Sequence, residues 1–388
     1  MTLQSTVQDA FRSHFGGRPS AIVRAPGRVN LLGEHTDYND GFVLPAAIDF
    51  DTLVAARPRD DDQIHLLGLD GKQKETTFEV ALPIAPDPTT RWSDYVRGVT
   101  QALLENGHRI TGAELVIAGN VPTGAGLSSS AALSVATATA LAHLNDLDLS
   151  TTELARVARN AENEYVGCQC GIMDPLASAS GQRGSALLID CRSLEVRPVP
   201  IPADLSLVII NSNIPRQLVD SAYNDRRRQC EDAAHRLGVA ALRDCSLSQL
   251  ENFRRSLDAQ GEGEPSWIRR ARHVITENQR TLDAAEALAC GDRKALSTLM
   301  AASHASLRDD FEVTVPAIDI LVELLAEVLE DEGGVRMTGG GFGGCVVALA
   351  PHDRVDAIRQ TVIQEYGPET GHVADVFVCR ATAGAGLI

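Results

Sequence analysis

Apolar and polar positions along the chain alternate between a helical period and a strand period, and the changes of period divide it. Residues up to about 15 carry the stripe of a short amphipathic helix, and residues 21–24 read as a strand. Residues 52–57, 63–67 and 76–82 look like strands of one sheet, with turns at 58–62 and 69–74. A helix follows near 93–105, then a short strand at 113–118 and a small, apolar helix of more than three turns after Ser128. Ser150-Thr151-Thr152-Glu153 is a capping box, and Leu154, Val157, Ala158, Ala161 and Tyr165 form the stripe of the helix it opens. Strands are expected near 185–190 and 205–211, and the segment SAYNDRRRQCEDAAHRLG opens a helix on which Arg226, Arg227 and Arg228 make a solvated face. An acidic loop at 261–266 separates further helices that run to about residue 331, followed by GGVRMTGGGFGG and a buried strand, CVVALA. No repeat or low-complexity tract interrupts this order.

The sharpest change of period lies between 121 and 141. A strand, a tight turn through Gly124, Ala125, Gly126 and Leu127, and a helix start at Ser128 stand together. Such a turn is an anion site, because unpaired N–H groups and the positive helix end point into it. The hydroxyls of Ser128, Ser129 and Ser130 can cap the helix, or meet a phosphate or a metal. The turn is neither a dinucleotide fingerprint, since Ser129 replaces the third glycine, nor a P-loop, since Lys72, Lys74 and Lys294 are the only lysines and none is near it. A nucleotide phosphate is the functional reading, and a structural strand–helix turn is the alternative.

A second concentration of chemistry is RAPGRVNLLGEHTDYNDGFVLPAAID. Arg28, Asn30, Glu34, His35, Asp37 and Tyr38 are interleaved there with Leu31, Leu32 and Val43, which demand burial. Rigid polar groups beside apolar ones suit a polyhydroxyl ligand. Metal ligation by Glu34, His35 and Asp37, or a plain surface turn, are the competing readings. Further along, Glu162 and Glu164 sit on opposite shoulders of their stripe, so periodicity leaves open which of them faces a site. Asp174 lies between Met173 and Pro175, where a carboxylate is costly unless paired; capping, ion pairing and catalysis all fit. Tyr223 can pack or bind. Gly339, Gly340, Gly341, Gly343 and Gly344, around Phe342 and before a strand, imply backbone pressed against something rather than a linker.

Composition narrows the partners. With 388 residues and 44% hydrophobic positions the chain can bury a large core, and two domains are expected. The net charge of −17 argues against nucleic acid or an anionic membrane, so an anionic nucleotide must be held by local amides, arginine and a metal. The eight cysteines form no C-x-x-C pair and read as buried free thiols of a reducing compartment. The amino terminus lacks the apolar core of a signal peptide and no run is long enough to span a bilayer, so a cytoplasmic location is expected.

Three separated motifs in order make the chain resemble the galactokinases of the GHMP kinase superfamily: GRVNLLGEHTDYNDG at 27–41, Pro122 to Ser129, and Thr338 to Gly344. CGIMD at 170–174, Tyr223-Asn224 with the following Arg-Gln-Cys230, and SHASLRDDFEVTVP at 303–316 extend the similarity through nearly the whole length. The resemblance implies an α+β protein of two domains, a mixed-sheet α/β domain over 1–185 and an α+β domain over 186–388, with the active site between them. It assigns Glu34, His35, Thr36, Asp37, Gly171 and Tyr223 to the sugar and the turn from Gly124 to Ser130 to ATP. Ser130 and Glu162 would hold Mg2+, and Asp174 would be the catalytic carboxylate with Arg28 as its cationic companion. Pro175 stands where Gln is usual and Ala222 where Glu is common.

The expected reaction moves the γ-phosphoryl of ATP to the anomeric hydroxyl of D-galactose, with galactose and ATP as the only partners of a monomer. An aspartate is too weak a base to ionise a sugar hydroxyl in advance, so Asp174 would take the proton as the new bond forms, or aim the hydroxyl. The rivals are a kinase for N-acetylgalactosamine or arabinose, a non-catalytic galactose and ATP sensor, and a nicotinamide oxidoreductase.

Overall fold

The computed structural model describes residues 2–69, 74–122, 124–214, 219–259 and 263–388. Parts of the turn expected at 69–74 and of the acidic loop at 261–266 lie outside the described residues. Helix α1 (Leu3–Phe15) is held at its start by the Thr2 hydroxyl and buries Val7 and Phe11. Strand β1 (Ala21–Asn30) runs well past the expected residue 24, because the turn formers after Arg24 lie in a bulged strand paired with β3 (Pro45–Pro58). Between them the chain turns through β2 (Phe42–Val43). Strands β4 (Gln63–Gly68) and β5 (Lys74–Glu79), helix α2 (Asp94–Glu105) and strand β6 (Ala113–Gly119) follow close to their expected places. Helix α3 (Ser129–Leu144) is buried on nearly every side, which is why its sequence is small and apolar throughout.

The capping box closes as expected at α4 (Thr151–Asn160), with both reciprocal bonds made between Ser150 and Glu153. The helix then widens into a π-helical turn at Ala161–Val166. Helix α5 (Met173–Ser180) and strands β7 (Ser185–Asp190), β8 (Val196–Pro200) and β9 (Leu205–Asn211) come next. A helical block follows: α6 (Val219–Leu237), α7 (Leu247–Asp258), α8 (Ser266–Cys290), α9 (Arg293–Asp309) and α10 (Pro316–Leu329). Strands β10 (Gly334–Thr338) and β11 (Cys345–Pro351), helices α11 (Val355–Thr361) and α12 (Gly367–Thr370), and strands β12 (Asp375–Cys379) and β13 (Gly386–Leu387) complete the chain.

Three sheets result. A mixed six-stranded sheet has the order β13-β1-β3-β6-β4-β5, with β4 and β6 parallel. An antiparallel sheet has the order β10-β11-β9-β12, and a small one β2-β7-β8. One apolar cluster packs α2, α3, α4 and α5 on the large sheet, and another packs α6, α8 and α10 on the four-stranded sheet. A third is shared: Val29, Leu31 and Leu127 from the first half meet Ile209, Leu288 and Val347 from the second. The expected division at 185/186 falls on the first residue of β7, which pairs back to β2. No helix among the described residues is long and apolar enough to cross a membrane.

Candidate active site

The shared cluster sets β1, the loop after it and the start of α3 against β9 and β11, and a cavity of about 280 Å³ opens at that seam. Its wall joins Arg28, Glu34, His35 and Asp37 with Gly124, Gly126, Leu127, Ser128, Ser129 and Ser130, and with Gly171, Asp174, Tyr223, Gly339 and Gly340. All three motif segments therefore meet at one place. Of the expected site residues, Thr36, Ala125 and Glu162 do not line this wall. Thr36 donates its hydroxyl to the Gly33 and Phe42 carbonyls (2.8 and 2.7 Å), and Ala125 is buried in the shared cluster.

At the centre Arg28 grips Asp174 with two parallel bonds, Nε to Oδ1 at 2.7 Å and Nη2 to Oδ2 at 2.6 Å, while Nη1 donates to the Gly126 carbonyl at 2.7 Å. Pairing is thus the answer for Asp174, whose side chain keeps 25% exposure toward the cavity while Arg28 is buried. Ser128 adopts a left-handed backbone (φ 60°) and caps nothing; its hydroxyl donates to Asp174 at 2.5 Å. Gly124 and Gly126 also have positive φ (74° and 79°), which bends the turn around the cavity and leaves the first amides of α3 open to it.

The sugar-side loop is equally constrained. Glu34 is buried, and its Oε1 accepts from Gly339 N at 2.7 Å and Thr338 Oγ1 at 3.0 Å, with Arg336 Nη1 at 3.5 Å. His35 also has a left-handed backbone (φ 61°), strain of the kind found where a side chain must be aimed. Its Nδ1 is 2.9 Å from the Tyr38 hydroxyl, and its buried Nε2 has no hydrogen-bond partner among the described residues. Burial, beside His273 and Arg226, holds this imidazole down to about 3, so it is neutral. Burial also pushes the Asp37 carboxyl up to about 7, with the Asp174 carboxylate adding to the effect. A methyl group on Gly171 would lie 1.8 Å from Asp37 Oδ2, so only glycine admits that carboxyl. Tyr223 packs beside His35 and Tyr38 and lines the cavity as well.

Glu162 is the shoulder that turns inward; it is buried, and Glu164 is exposed. Burial raises the Glu162 carboxyl above its usual range against the opposing bonds from Ser130 and from Cys170, whose Sγ is 3.3 Å away. Two expectations are corrected. Arg226 is not part of a solvated face: it donates to the carbonyls of Phe311 and Glu312, both at 2.8 Å, and stacks on Phe342. The cysteines are not uniformly buried: Cys168 and Cys290 are exposed and Cys170 is half-buried.

Sequence reasoning missed the residues that hold this loop from behind. Arg336 is fully buried and also donates to the Leu31 carbonyl at 3.0 Å. Glu277 on α8 accepts from Gly33 N at 3.0 Å, Ser303 Oγ at 2.6 Å and Arg280 Nε at 2.7 Å. Its burial would raise its pKa, but the charges of Arg280, His273 and Arg336 outweigh this and hold it at about 2. An arginine inside a strand otherwise made for burial was the available signal. A second cavity, of about 700 Å³, was also missed. Lys74, Trp92, Tyr95, Asn120, Pro122 and Leu133 line it, and it shares Ser129 and Ser130 with the first.

Comparison with known proteins agrees with this arrangement. Residues 9–58 match the galactokinase galactose-binding signature, 94–182 the GHMP kinases N terminal domain, and 284–369 the GHMP kinases C terminal domain. The structure of Lactococcus lactis galactokinase complexed with galactose superposes with a TM-score of 0.89 at 36% identity, covering 100% of both chains. Methanococcus jannaschii mevalonate kinase (TM-score 0.66, 18% identity, 94% of this chain and 100% of that one) shares the fold. So does Streptococcus pneumoniae phosphomevalonate kinase (0.65, 11%, 95% and 99%). The three family matches, together with 36% identity along the full length of a galactokinase, leave one assignment: the chain belongs to the galactokinase family of the GHMP kinases.

Proposed function

We propose that the two neighbouring cavities are the two ends of one phosphoryl transfer, from the γ-phosphate of ATP to the anomeric hydroxyl of D-galactose. The observation that carries this is the position of the Arg28–Asp174 pair. It lies between the sugar-loop carboxyls and the Gly124–Ser130 turn, in a cavity that shares Ser129 and Ser130 with a second one. The larger cavity, with Trp92 and Tyr95 beside apolar Val121 and Leu133, suits a purine and ribose. The turn amides and the α3 N-terminus then receive the phosphates.

Galactose hydroxyls are bound by Glu34, His35, Asp37, Tyr223 and the Gly171 backbone. Asp174 accepts the proton of the attacking hydroxyl as the oxygen–phosphorus bond forms, or holds that hydroxyl in line. Arg28 holds the Asp174 carboxylate in place with its two bonds and opposes charge on the transferred group. The donor set at Ser130 and Glu162 fits Mg2+: a buried carboxylate bonded, among the described residues, to a hydroxyl and a thiol offers hard oxygen to a cation that would take its remaining ligands from phosphate and water. When bound, that ion would neutralise phosphate charge.

The test is a panel of hexoses and related sugars incubated with ATP, with and without Mg2+, and assayed for ADP. Galactose-dependent, Mg2+-dependent ADP release is expected. Preference for N-acetylgalactosamine or arabinose, or tight galactose binding with no ADP, would replace the reading with one of its rivals.

A further inference from the structure

The π-helical turn at Ala161–Val166 does more than turn Glu162 inward. The residue after it, Asn163, uses both ends of its amide on a single residue of the following loop: Oδ1 accepts from Cys170 N at 2.9 Å, and Nδ2 donates to Cys170 O at 3.1 Å. The Cys170 thiol donates back to Asn163 Oδ1 (3.2 Å) and to Glu162 Oε2 (3.3 Å), and the Gln169 side chain bonds the Asn163 carbonyl at 3.1 Å. The Cys170 carbonyl belongs to the same planar trans peptide as the Gly171 N–H, so the two point in opposite directions. Pinning that carbonyl on Asn163 therefore turns the Gly171 N–H the other way. Gly171 lines the cavity, against the Asp37 carboxyl.

We propose that Asn163 is a positioning residue for the sugar: its amide clamp on Cys170 aims the Gly171 N–H into the cavity and ties that donor to the turn that carries Glu162. This rests on the sugar reading given above. A wider helical turn suits the task, because π-turns recur where a helix must present adjacent side chains to a site.

Two variants separate aim from packing. Asn163→Ala removes the clamp, and Asn163→Leu refills its volume without a hydrogen bond. Both are expected to raise the KM for galactose about tenfold, the loss of one well-aimed hydrogen bond, with the KM for ATP unchanged. The direct readout is the Gly171 amide. Labelling cysteine carbonyl carbon and glycine nitrogen selects two peptides, Cys170–Gly171 and Cys290–Gly291, and the second serves as control. Galactose should move the Gly171 resonance of the wild-type protein, leave Gly291 in place, and move Gly171 much less in either variant. A wild-type galactose KM and shift in Asn163→Leu would overturn the role of Asn163 while leaving the sugar reading intact. A wild-type protein that neither phosphorylates galactose nor shifts Gly171 would overturn the sugar reading itself.

Discussion

Asp174 and Asp37 are both carboxyls of one cavity, yet their surroundings set them apart. Asp174 has Arg28 on both oxygens, whereas Asp37 has burial and another carboxylate against it. Asp174→Ala should lower kcat about 10³-fold, within the usual range for a lost proton acceptor, with ATP affinity nearly unchanged by calorimetry. A fall of less than tenfold would remove Asp174 from the mechanism. Asp37 retains its proton to about pH 7, whereas an unfolded aspartate releases it near 3.8, so the sugar-free fold loses stability from this group as pH rises between those values. Hydroxyls donating to Asp37 favour its charged form, so galactose affinity should strengthen as pH climbs through about 7, with proton release. Titration at pH 6 and pH 8 checks this, and Asp37→Asn should flatten the slope. Glu34, Asp37 and Arg28 were legible as chemistry because polar groups crowd an apolar segment. Arg336 was not, because its partner Glu34 lies about three hundred positions earlier and no local pattern records such a contact.

Among the elements, α8 gives the sugar loop its rigidity. Glu277 reaches from that helix to the Gly33 amide; it is fully buried and paired with the partly buried Arg280. Glu277→Ala strands a largely buried guanidinium and frees the loop, so it should cost about 3 kcal/mol by urea denaturation. A loss below about 1 kcal/mol would mean the network is incidental. Element type was largely readable where periodicity was strong, as in the Ser150 capping box and the uniformly apolar α3. The π-turn was not, since one added residue per turn blurs the stripe instead of ending it; the facing of Glu162 therefore needed the structure. Strand β1 was cut short in the sequence reading because Pro26 and Gly27 are turn formers, and its bulge absorbs them.

For the whole molecule, the two halves are joined by packing and by charge at the same seam. Val29, Leu31 and Leu127 bury against Ile209 and Val347, while Glu34 crosses to Thr338 and Gly339. That seam fixes a sugar-binding wall beside a phosphate turn, and the proposed chemistry follows from their proximity. The most direct test is the phosphorus NMR spectrum of the product formed from galactose and ATP. Transfer to the anomeric oxygen places phosphorus next to a single carbon-bound proton, so a doublet is expected, its splitting collapsing when the anomeric proton is decoupled. A triplet, from phosphorus beside the two protons of the primary alcohol, or the absence of any sugar phosphate, would contradict the account.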